Sequence, residues 1–326
     1  MNDAVTDRNL ALEAVRVTEA AAVAAMAHLG GGDERAADEA AVKAMMGSLD
    51  TLMVDGTVRM GEGEEGEVED LYTGQKLGTG GAPKADVAVL ALEGKSIIAR
   101  GGYNALSVIA LAEDGGFLSV PNLYMEKIAV GPGLPEDVID LDAEPAENLK
   151  ALAKARKVAV SDLVVCMLDR PRHAQIVNKV REAGARIRLI LDGDVSGVVA
   201  TALPGSGVDI FLGSGRATQG VLSAAALRGL GGQMQSRLIV RNEDETARLR
   251  KAGIEDTARK YSMLDMASGN VTFAATGVTT GPMLSGVQFT DKGVMATTHS
   301  LVVRSKTRTL RYIEGHHHVS KLTGRV

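Results

Sequence analysis

The sequence predicts an alternating α/β protein, folded as a layered sandwich in two lobes that cover residues 1–150 and 151–326. The second half alternates strand-like and helix-like segments joined by loops of two to six residues, the order typical of a mostly parallel sheet. Thirty-eight glycines against eight prolines indicate many tight strand–helix junctions. Hydrophobic residues make up 45% of the 326 positions, which is enough to build a core in each lobe.

The first half begins with two predicted helices. Apolar residues recur at helical spacing over residues 9–29, and three consecutive glycines end that pattern. Asp33 is positioned to cap a second helix that runs through Met46. Strand-like segments follow, separated by glycine turns: residues 52–60, 86–92 and 106–112.

The second half predicts three strands, each followed by a helix. The strands cover residues 162–168, 186–191 and 208–212, and the helices cover residues 172–183, 195–202 and 217–228. A further helix near residues 145–160 marks the expected boundary between the lobes. Because ligands bind beyond the carboxyl ends of parallel strands, we expect the polar loops there to face one crevice: residues 169–173, 192–194 and 213–216.

Composition and charge exclude several classes of protein. A net charge of −5, with no Trp, 5 Tyr and 4 Phe, argues against a nucleic-acid-binding surface. The single cysteine, Cys166, excludes an internal disulfide framework and a cysteine-rich zinc module, and its position within a strand predicts a core residue. No run of 18 apolar residues predicts a membrane span, and the first residues include acids where a signal peptide has positive charge. We therefore expect a cytoplasmic protein with neither membrane nor nucleic-acid partners.

The most acidic segment begins at Glu62, with six acids in nine residues. Such a run is usually a solvated face. Here it follows a strand and is interrupted by glycines, so single carboxylates can turn inward. Hard divalent cations take carboxylate oxygens from separate segments, and Asp38 and Glu93 are the candidate partners. The sequence leaves both readings open.

The strand-end loops carry candidate phosphate ligands. Arg172 offers a planar fork that suits a phosphate, and Arg170 lies beside it. Residues 213–215 precede a helix and present backbone N–H groups, although a plain tight turn is an equally common reading. Asp192 and Asp194 could hold sugar hydroxyls or a metal, or form an ordinary turn. His173 is expected at a helix start in the crevice, and residues 316–318, three histidines, are interpreted as part of a tail.

Taken together, many segments resemble the class II fructose-1,6-bisphosphatases, the bacterial type within the lithium-sensitive phosphatase superfamily. The matching segments occur in order along almost the whole chain: AADEAAVKAM, VDGTVRMGEGE, LYTGQKLGTG, NALSVIA, LYMEKIAVGPG, DRPRHA, DGDVSGVVATALPGSGVDI, GGQMQSRL and FAATGVTTG. The resemblance implies an α/β sandwich that assembles as homo-dimers or homo-tetramers. It also implies Mg²⁺- or Mn²⁺-dependent hydrolysis of the 1-phosphate of fructose 1,6-bisphosphate, and in some members sedoheptulose 1,7-bisphosphate.

The resemblance also assigns site residues, and the chain departs from the family at the metal centre. The metal positions are Asp38, Glu62, Leu90, Glu93 and Gln219, of which Leu90 and Gln219 replace carboxylates. Lys95 replaces the threonine that helps to activate the attacking water, so Glu62 and Lys95 occupy the catalytic positions. The positions expected to bind the sugar phosphate are Tyr124, Arg170, Arg172, Asp192, Asp194, Gly215 and Arg216. On this basis residues 1–150 carry the metal carboxylates and residues 151–326 carry the sugar-phosphate loops.

Three functions follow from these residues. The first is a class II fructose-1,6-bisphosphatase in which Asp38, Glu62 and Glu93 hold a cation. The second is a catalytically impaired paralogue that binds phosphosugars, in which Lys95 and Arg216 place fixed positive charge against the phosphate, because an ammonium can neutralise a phosphate but cannot acidify a water. The third is a purely structural subunit of a mixed oligomer.

Overall fold

The computed structural model describes residues 10–323. Its strands, in chain order, are β1 (Asp55–Met60), β2 (Lys76–Leu77), β3 (Lys84–Glu93), β4 (Leu106–Glu113), β5 (Tyr124–Val130), β6 (Val164–Leu168), β7 (Arg186–Ile190), β8 (Ile210–Arg216), β9 (Gln233–Ile239), β10 (Tyr261–Ser262), β11 (Val271–Gly277), β12 (Gln288–Thr290), β13 (Met295–Arg304) and β14 (Thr309–His318). These strands form two separate sheets.

The helices lie above, below and between the sheets. They are α1 (Ala11–Met26), α2 (Glu34–Leu49), α3 (Lys95–Ala99), α4 (Pro145–Arg156), α5 (Ala174–Glu182), α6 (Asp194–Ala200), α7 (Ala217–Leu230), α8 (Glu243–Lys251), α9 (Met263–Met266) and α10 (Val319–Thr323). In the described part of the chain, no helix is long and apolar enough to cross a membrane.

The first sheet has eight strands in the order β12-β13-β11-β4-β3-β1-β2, with β14 paired to β13. Strands β1 and β3 are parallel and the other pairs are antiparallel. Helix α1 packs on this sheet through small side chains such as Ala14, Val17 and Ala21, which are fully buried and let the helix lie close to the strands. Helix α2 packs beside α1 and completes that outer layer.

The second sheet has six strands in the order β10-β9-β5-β8-β6-β7. Strand β6 runs parallel to both β7 and β8, as the alternating pattern predicts. Strand β5 is antiparallel to both β8 and β9, so the sheet is mixed and the mostly parallel expectation holds for β6, β7 and β8 alone. Helices α4 and α5 cover its outer face.

Helix α7 lies between the two sheets and contacts strands of both. Its buried residues include Val221, Leu222 and Leu227, and the same apolar core includes Val198 of α6. The layers therefore alternate helix, sheet, helix, sheet, helix, which confirms the α/β sandwich class. The amino-terminal ends of α6 and α7 both lie at the junction of the sheets, where they position polar groups.

Sheet membership follows a different division from the expected segments 1–150 and 151–326. Strand β5 belongs to the second sheet, and β11 to β14 belong to the first. Each sheet thus takes strands from both halves of the chain. The cause is long-range pairing, because β11 inserts between β4 and β13 and joins the end of the chain to its beginning.

Several local predictions hold within one turn. Helix α1 covers 11–26 against the expected 9–29, of which residue 9 lies outside the described part, and Asp33 caps α2 by accepting from the backbone N–H groups of Arg35 and Ala36 at 3.0 Å. The interpretation of residues 316–318 as a tail is wrong, because they end β14. There the ring of His317 lies 3.4 Å from the buried Glu19 carboxylate.

Candidate active site

A polar cleft of about 520 Å³ lies where the two sheets meet. Four segments surround it: the acidic loop after β1, the turn from β3 into α3, the start of α6 and the start of α7. Most of the sequence-predicted site residues line it, namely Glu62, Leu90, Glu93, Lys95, Asp192, Arg216 and Gln219. The cleft thus gathers groups from widely separated parts of the chain.

Glu62 is held rigidly on the cleft wall. Its backbone N–H donates to the carbonyl of Leu71 at 2.9 Å, and its Oε1 accepts from the backbone N–H of Ala91 at 2.7 Å. Burial raises the pKa of Glu62, because the carboxylate has left water. With Oε1 fixed on the backbone of β3, Oε2 is the oxygen available to other groups.

Lys95 supplies the positive charge that faces this carboxylate. Its Nζ lies 2.5 Å from Oδ2 of Asp38 and 3.7 Å from Oε2 of Glu62. Burial lowers the pKa of this ammonium, but the carboxylates of Glu62 and Asp38 outweigh burial and raise the pKa above its ordinary value. The two acids and the lysine therefore form one ion cluster on the cleft floor.

Glu93 is engaged by the start of α6. Its two carboxylate oxygens accept from the backbone N–H groups of Val195 at 2.9 Å and Ser196 at 3.2 Å. Burial, followed by the nearby charge of Asp194, raises the pKa of Glu93 to about 8. Gly193 has φ +91°, and a Cβ there would lie 3.2 Å from the Glu93 carboxylate, so this tight approach favours glycine.

The carboxylates present do not fit the two-cation centre that the resemblance implies. One observation favours a ligand: Oδ1 of Asp38 is buried and accepts no hydrogen bond from the described residues. However, Oδ2 of Asp38 binds Lys95, both oxygens of Glu93 bind α6, and Leu90 has no ligating atom. Across residues 10–323, no group of three or more His, Cys, Asp or Glu side chains is arranged to hold a metal ion.

Asp192 and Asp194 occupy different environments. Asp192 lines the cleft and accepts from the hydroxyl of Ser96 at 3.4 Å, and burial raises its pKa. Asp194 is buried and forms an ion pair with Lys127, whose Nζ also donates to the carbonyl of Arg216 at 3.0 Å. Asp194 therefore supports the cleft from beneath rather than presenting its carboxylate at the surface.

Gln219 has an end-capping role at α7. Its Oε1 accepts from the backbone N–H of Arg216 at 3.0 Å, and the neighbouring Thr218 hydroxyl donates to the carbonyl of Gly61 at 3.2 Å. The first bond closes the start of α7 on itself, and the second ties that start to Gly61, next to the acidic loop. An amide at position 219 thus maintains the shape of the cleft without adding a charge.

A second hollow, beside the cleft, contains a cluster of arginines around Tyr124. The guanidinium carbons of Arg241, Arg172 and Arg216 lie 4.8, 5.1 and 5.9 Å from the centre of the Tyr124 ring. Arg172 donates to the hydroxyl of Ser214 at 3.0 Å and to its carbonyl at 2.7 Å, both uncharged acceptors. Arg241 donates its Nε, at 2.9 Å, and its Nη2 to the carboxylate of Glu245. Nη1 of Arg172 and Nη1 of Arg241 lie outside these contacts, and such guanidinium donors are suited to a phosphate.

Arg216 joins the two hollows, since it lines the cleft and also lies near the Tyr124 ring. Gly215, next to it, packs closely over Asp194: a Cβ at Gly215 would lie 2.1 Å from Oδ2 of that residue. Arg170 donates to the carbonyl of Asp169 at 3.1 Å, and its positive charge acts on the carboxylate of Asp192 in the cleft. The three predicted loops 169–173, 192–194 and 213–216 thus all contribute residues to one composite site, the first of them through Arg172.

His173 is a buried support for that site. Its Nδ1 lies 2.8 Å from the carbonyl of Leu168, and its Nε2 accepts from the backbone N–H of Ser214 at 2.9 Å. Burial lowers the pKa of His173, which favours the neutral ring that these contacts need. His173 lies at the start of α5 and lines the hollow beside Tyr124, where it fixes Ser214, which in turn holds Arg172.

Two residues of the site were missed by reading the sequence. Lys127 lies in an apolar-looking strand, where a single lysine is usually exposed, yet it is fully buried. Arg241 follows β9 and lies far along the chain from Tyr124, so local patterns carry no signal for their contact. Strand β9 pairs with β5 so that Ile239 lies opposite Tyr124. Arg241 follows two residues later, so its contact with Tyr124 could be expected only once this pairing was known.

Comparisons with known proteins show the family of the chain. The family model described as "Bacterial fructose-1,6-bisphosphatase, glpX-encoded" matches residues 8–317. Fructose-1,6-bisphosphatase 1 class 2 of Escherichia coli K12 is 42% identical over 328 aligned residues, covering 96% of each chain. The class 2 enzymes of Escherichia coli O6:H1 and Shigella flexneri match to the same extent. The chain therefore belongs to the glpX-encoded bacterial fructose-1,6-bisphosphatase family.

Proposed function

We propose that this chain is a fructose-1,6-bisphosphatase that binds fructose 1,6-bisphosphate and hydrolyses its 1-phosphate. The composite site carries the proposal: an arginine cluster suited to one phosphate adjoins a carboxylate-lined cleft, and Arg216 lies between them. Two charged subsites joined by a polar wall match a sugar that carries a phosphate at each end. Family membership and the names of the relatives support the same reaction.

In this proposal the arginine cluster binds the phosphate that is retained. Arg172 and Arg241 contact it in the hollow beside Tyr124 with charge-assisted hydrogen bonds from Nη1, the nitrogen that each guanidinium keeps outside its contact with Ser214 or Glu245. The sugar lies across the wall formed by Asp192 and Ser96, whose oxygens are available to hydroxyl groups. The phosphate to be released then lies near Lys95 and Arg216.

Hydrolysis requires a water to attack phosphorus while the bond from phosphorus to the sugar oxygen breaks, and that oxygen takes up a proton from solvent to leave as a hydroxyl group. Glu62 is placed to accept the proton of that water, since its Oε2 faces the cleft beside Lys95. The Lys95 ammonium neutralises charge near the reacting phosphate, but an ammonium does not acidify a water as a metal ion does. We therefore propose slow turnover, with a weak dependence on Mg²⁺ or Mn²⁺.

A second candidate function is phosphosugar binding without hydrolysis. The contact of Lys95 with both Asp38 and Glu62 favours it, because these two carboxylates are then occupied. Leu90 and Gln219, at positions where the resemblance implies carboxylates, favour it as well. Binding through the arginine cluster is common to both candidates.

Measuring phosphate release from fructose 1,6-bisphosphate distinguishes them. Purified protein is assayed with Mn²⁺, with Mg²⁺ and with a chelator, and sedoheptulose 1,7-bisphosphate is tested in parallel. Release that is abolished in Arg172→Ala supports the phosphatase. Binding without release under any condition supports the second candidate, and the absence of both overturns the proposed site.

A triple variant provides a positive control for the fold of the site. Leu90→Asp, Lys95→Thr and Gln219→Glu together restore the carboxylates and the hydroxyl that the resemblance implies. We expect phosphate release to rise by at least tenfold, since loss of a supporting group alone typically costs 10–100-fold. No rise would show that the substrate pocket itself is unable to place the bisphosphate.

We further propose a cytoplasmic homo-oligomer, a dimer or a tetramer. A free buried thiol at Cys166 is compatible with a reducing compartment. Light scattering on the purified chain measures the assembly directly, and a monomer at working concentration would contradict this part of the proposal.

A further inference from the structure

We propose that the Lys95 ammonium takes the place of a divalent cation between Asp38 and Glu62, and that removing this ammonium creates a cation-binding site there. Lys95 is thus a specificity-determining residue of the cleft that excludes Mg²⁺ and Mn²⁺. The inference concerns the cleft of the proposed function, but its test contains no substrate, so the two can fail separately.

The geometry of the cluster carries the inference. Nζ of Lys95 lies between two carboxylate oxygens, 2.5 Å from Oδ2 of Asp38 and 3.7 Å from Oε2 of Glu62. The two acids come from different elements, α2 and the loop after β1, and Lys95 begins α3. Two separate segments therefore supply carboxylate oxygens to one cation, and hard metal ions likewise take oxygen ligands from separate segments.

Oxygen atoms remain available around that point. Oδ1 of Asp38 is buried and accepts no hydrogen bond from the residues that the structure describes. Oε1 of Glu62 is held by the backbone N–H of Ala91 at 2.7 Å, which keeps Oε2 aimed at the cluster. Two neighbouring carboxylates, one of them fixed on the backbone, can bind Mg²⁺ or Mn²⁺ when water completes the coordination shell.

The ammonium blocks such binding by position and by charge. A divalent cation between the two acids would have to displace Lys95. The displaced ammonium would then lose its contacts with both carboxylates and move into solvent. The Lys95 side chain is 38% exposed, so most of its surface is covered where it contacts the two acids. With the ammonium absent, the two acids repel each other, and a divalent cation would relieve that repulsion.

Titration with Mn²⁺, followed through the electron paramagnetic resonance signal of the free ion, tests the inference. The variants are Lys95→Met, which keeps the length of the side chain, and Lys95→Gln, which keeps a donor toward Asp38. The matched control is Lys43→Met, an exposed lysine on the same helix as Asp38. We expect each Lys95 variant to bind one equivalent of Mn²⁺ roughly tenfold or more tightly than the wild type, and Lys43→Met to equal the wild type.

Two further measurements make the result specific. Addition of Glu62→Gln to Lys95→Met should abolish the gained binding, because it removes one of the two ligands. Mn²⁺ should raise the melting temperature of the Lys95 variants and leave that of the wild type unchanged. If Lys95→Met fails to fold, Lys95→Gln still gives the comparison.

The proposal is overturned by either of two results. Wild-type protein that binds one Mn²⁺ as tightly as Lys95→Met would show that the ammonium moves aside. Folded Lys95 variants that gain no Mn²⁺ binding would show that the two carboxylates do not form a cation site.

Discussion

Lys127 lies beneath the composite site, and its replacement by methionine tests how that site is held. The Lys127 and Asp194 side chains are 0% and 1% exposed, and they form a buried ion pair. Lys127 also donates to the carbonyl of Arg216 at 3.0 Å. Lys127→Met keeps the length of the side chain but leaves the carboxylate of Asp194 buried without its counter-ion.

The expected loss of stability is large. Breaking a buried ion pair by removing one partner typically costs about 3–5 kcal/mol. The upper half of that range applies here, because Oδ1 of Asp194 already accepts no hydrogen bond from the described residues and the carbonyl of Arg216 also loses a donor. Equilibrium unfolding in urea measures the free energy of unfolding of each variant.

Two comparisons isolate the buried pair. Lys127→Met/Asp194→Asn removes both charges and should recover at least half of the loss, since no buried charge is then unpaired. Lys179→Met breaks the exposed pair with Glu144 and should cost at most about 1 kcal/mol. A Lys127→Met variant within about 1 kcal/mol of the wild type would refute the reasoning, because the pair would then be dispensable.

Three further predictions follow. The pKa of Glu93 is raised to about 8, so the folded state keeps a proton that the unfolded chain releases near pH 4.5. The free energy of unfolding should therefore fall as the pH rises from 5 to 8. Urea unfolding of Glu93→Gln should show a weaker dependence on pH over this range. Arg241→Gln should weaken fructose 1,6-bisphosphate binding by roughly tenfold in calorimetry, while an unchanged affinity would remove it from the phosphate subsite. Gly61→Ala should lose about 2 kcal/mol or more of unfolding free energy, because its Cβ would lie 1.9 Å from the carbonyl oxygen of Leu71. The control Gly47→Ala has open space around the new Cβ in α2, so thermal melts should show it to be neutral or stabilising.

Local chemistry made part of the fold predictable from sequence. Asp33 caps α2 through its own neighbours, and the alternation of β6, α5 and β7 is visible in residues that are close along the chain. The pairing of β11 with β4 and β13 was not predictable, because strands far apart in sequence carry no periodicity that names their partner. The same limit hid the antiparallel insertion of β5 between β8 and β9.

The candidate site also has a part that the sequence predicts and a part that only the fold defines. Motif positions located Glu62, Glu93 and Lys95, and the structure adds what each one contacts. The engagement of both Glu93 oxygens by α6 depends on the meeting of two sheets, which no spacing in the sequence encodes. Arg241 joins the arginine cluster for the same reason: its place is fixed by the β5–β9 pairing rather than by its own segment.

Calorimetric titration of fructose 1,6-bisphosphate into the wild-type chain, with a chelator present, tests the central claim most directly. The composite site predicts one bound bisphosphate per chain, with affinity lost in Arg172→Ala and retained in Lys179→Met, whose exposed lysine lies outside the cleft. Absence of binding to the wild type, or equal binding by Arg172→Ala, would contradict the claim that the arginine cluster at Tyr124 and the adjoining cleft form one sugar-bisphosphate site.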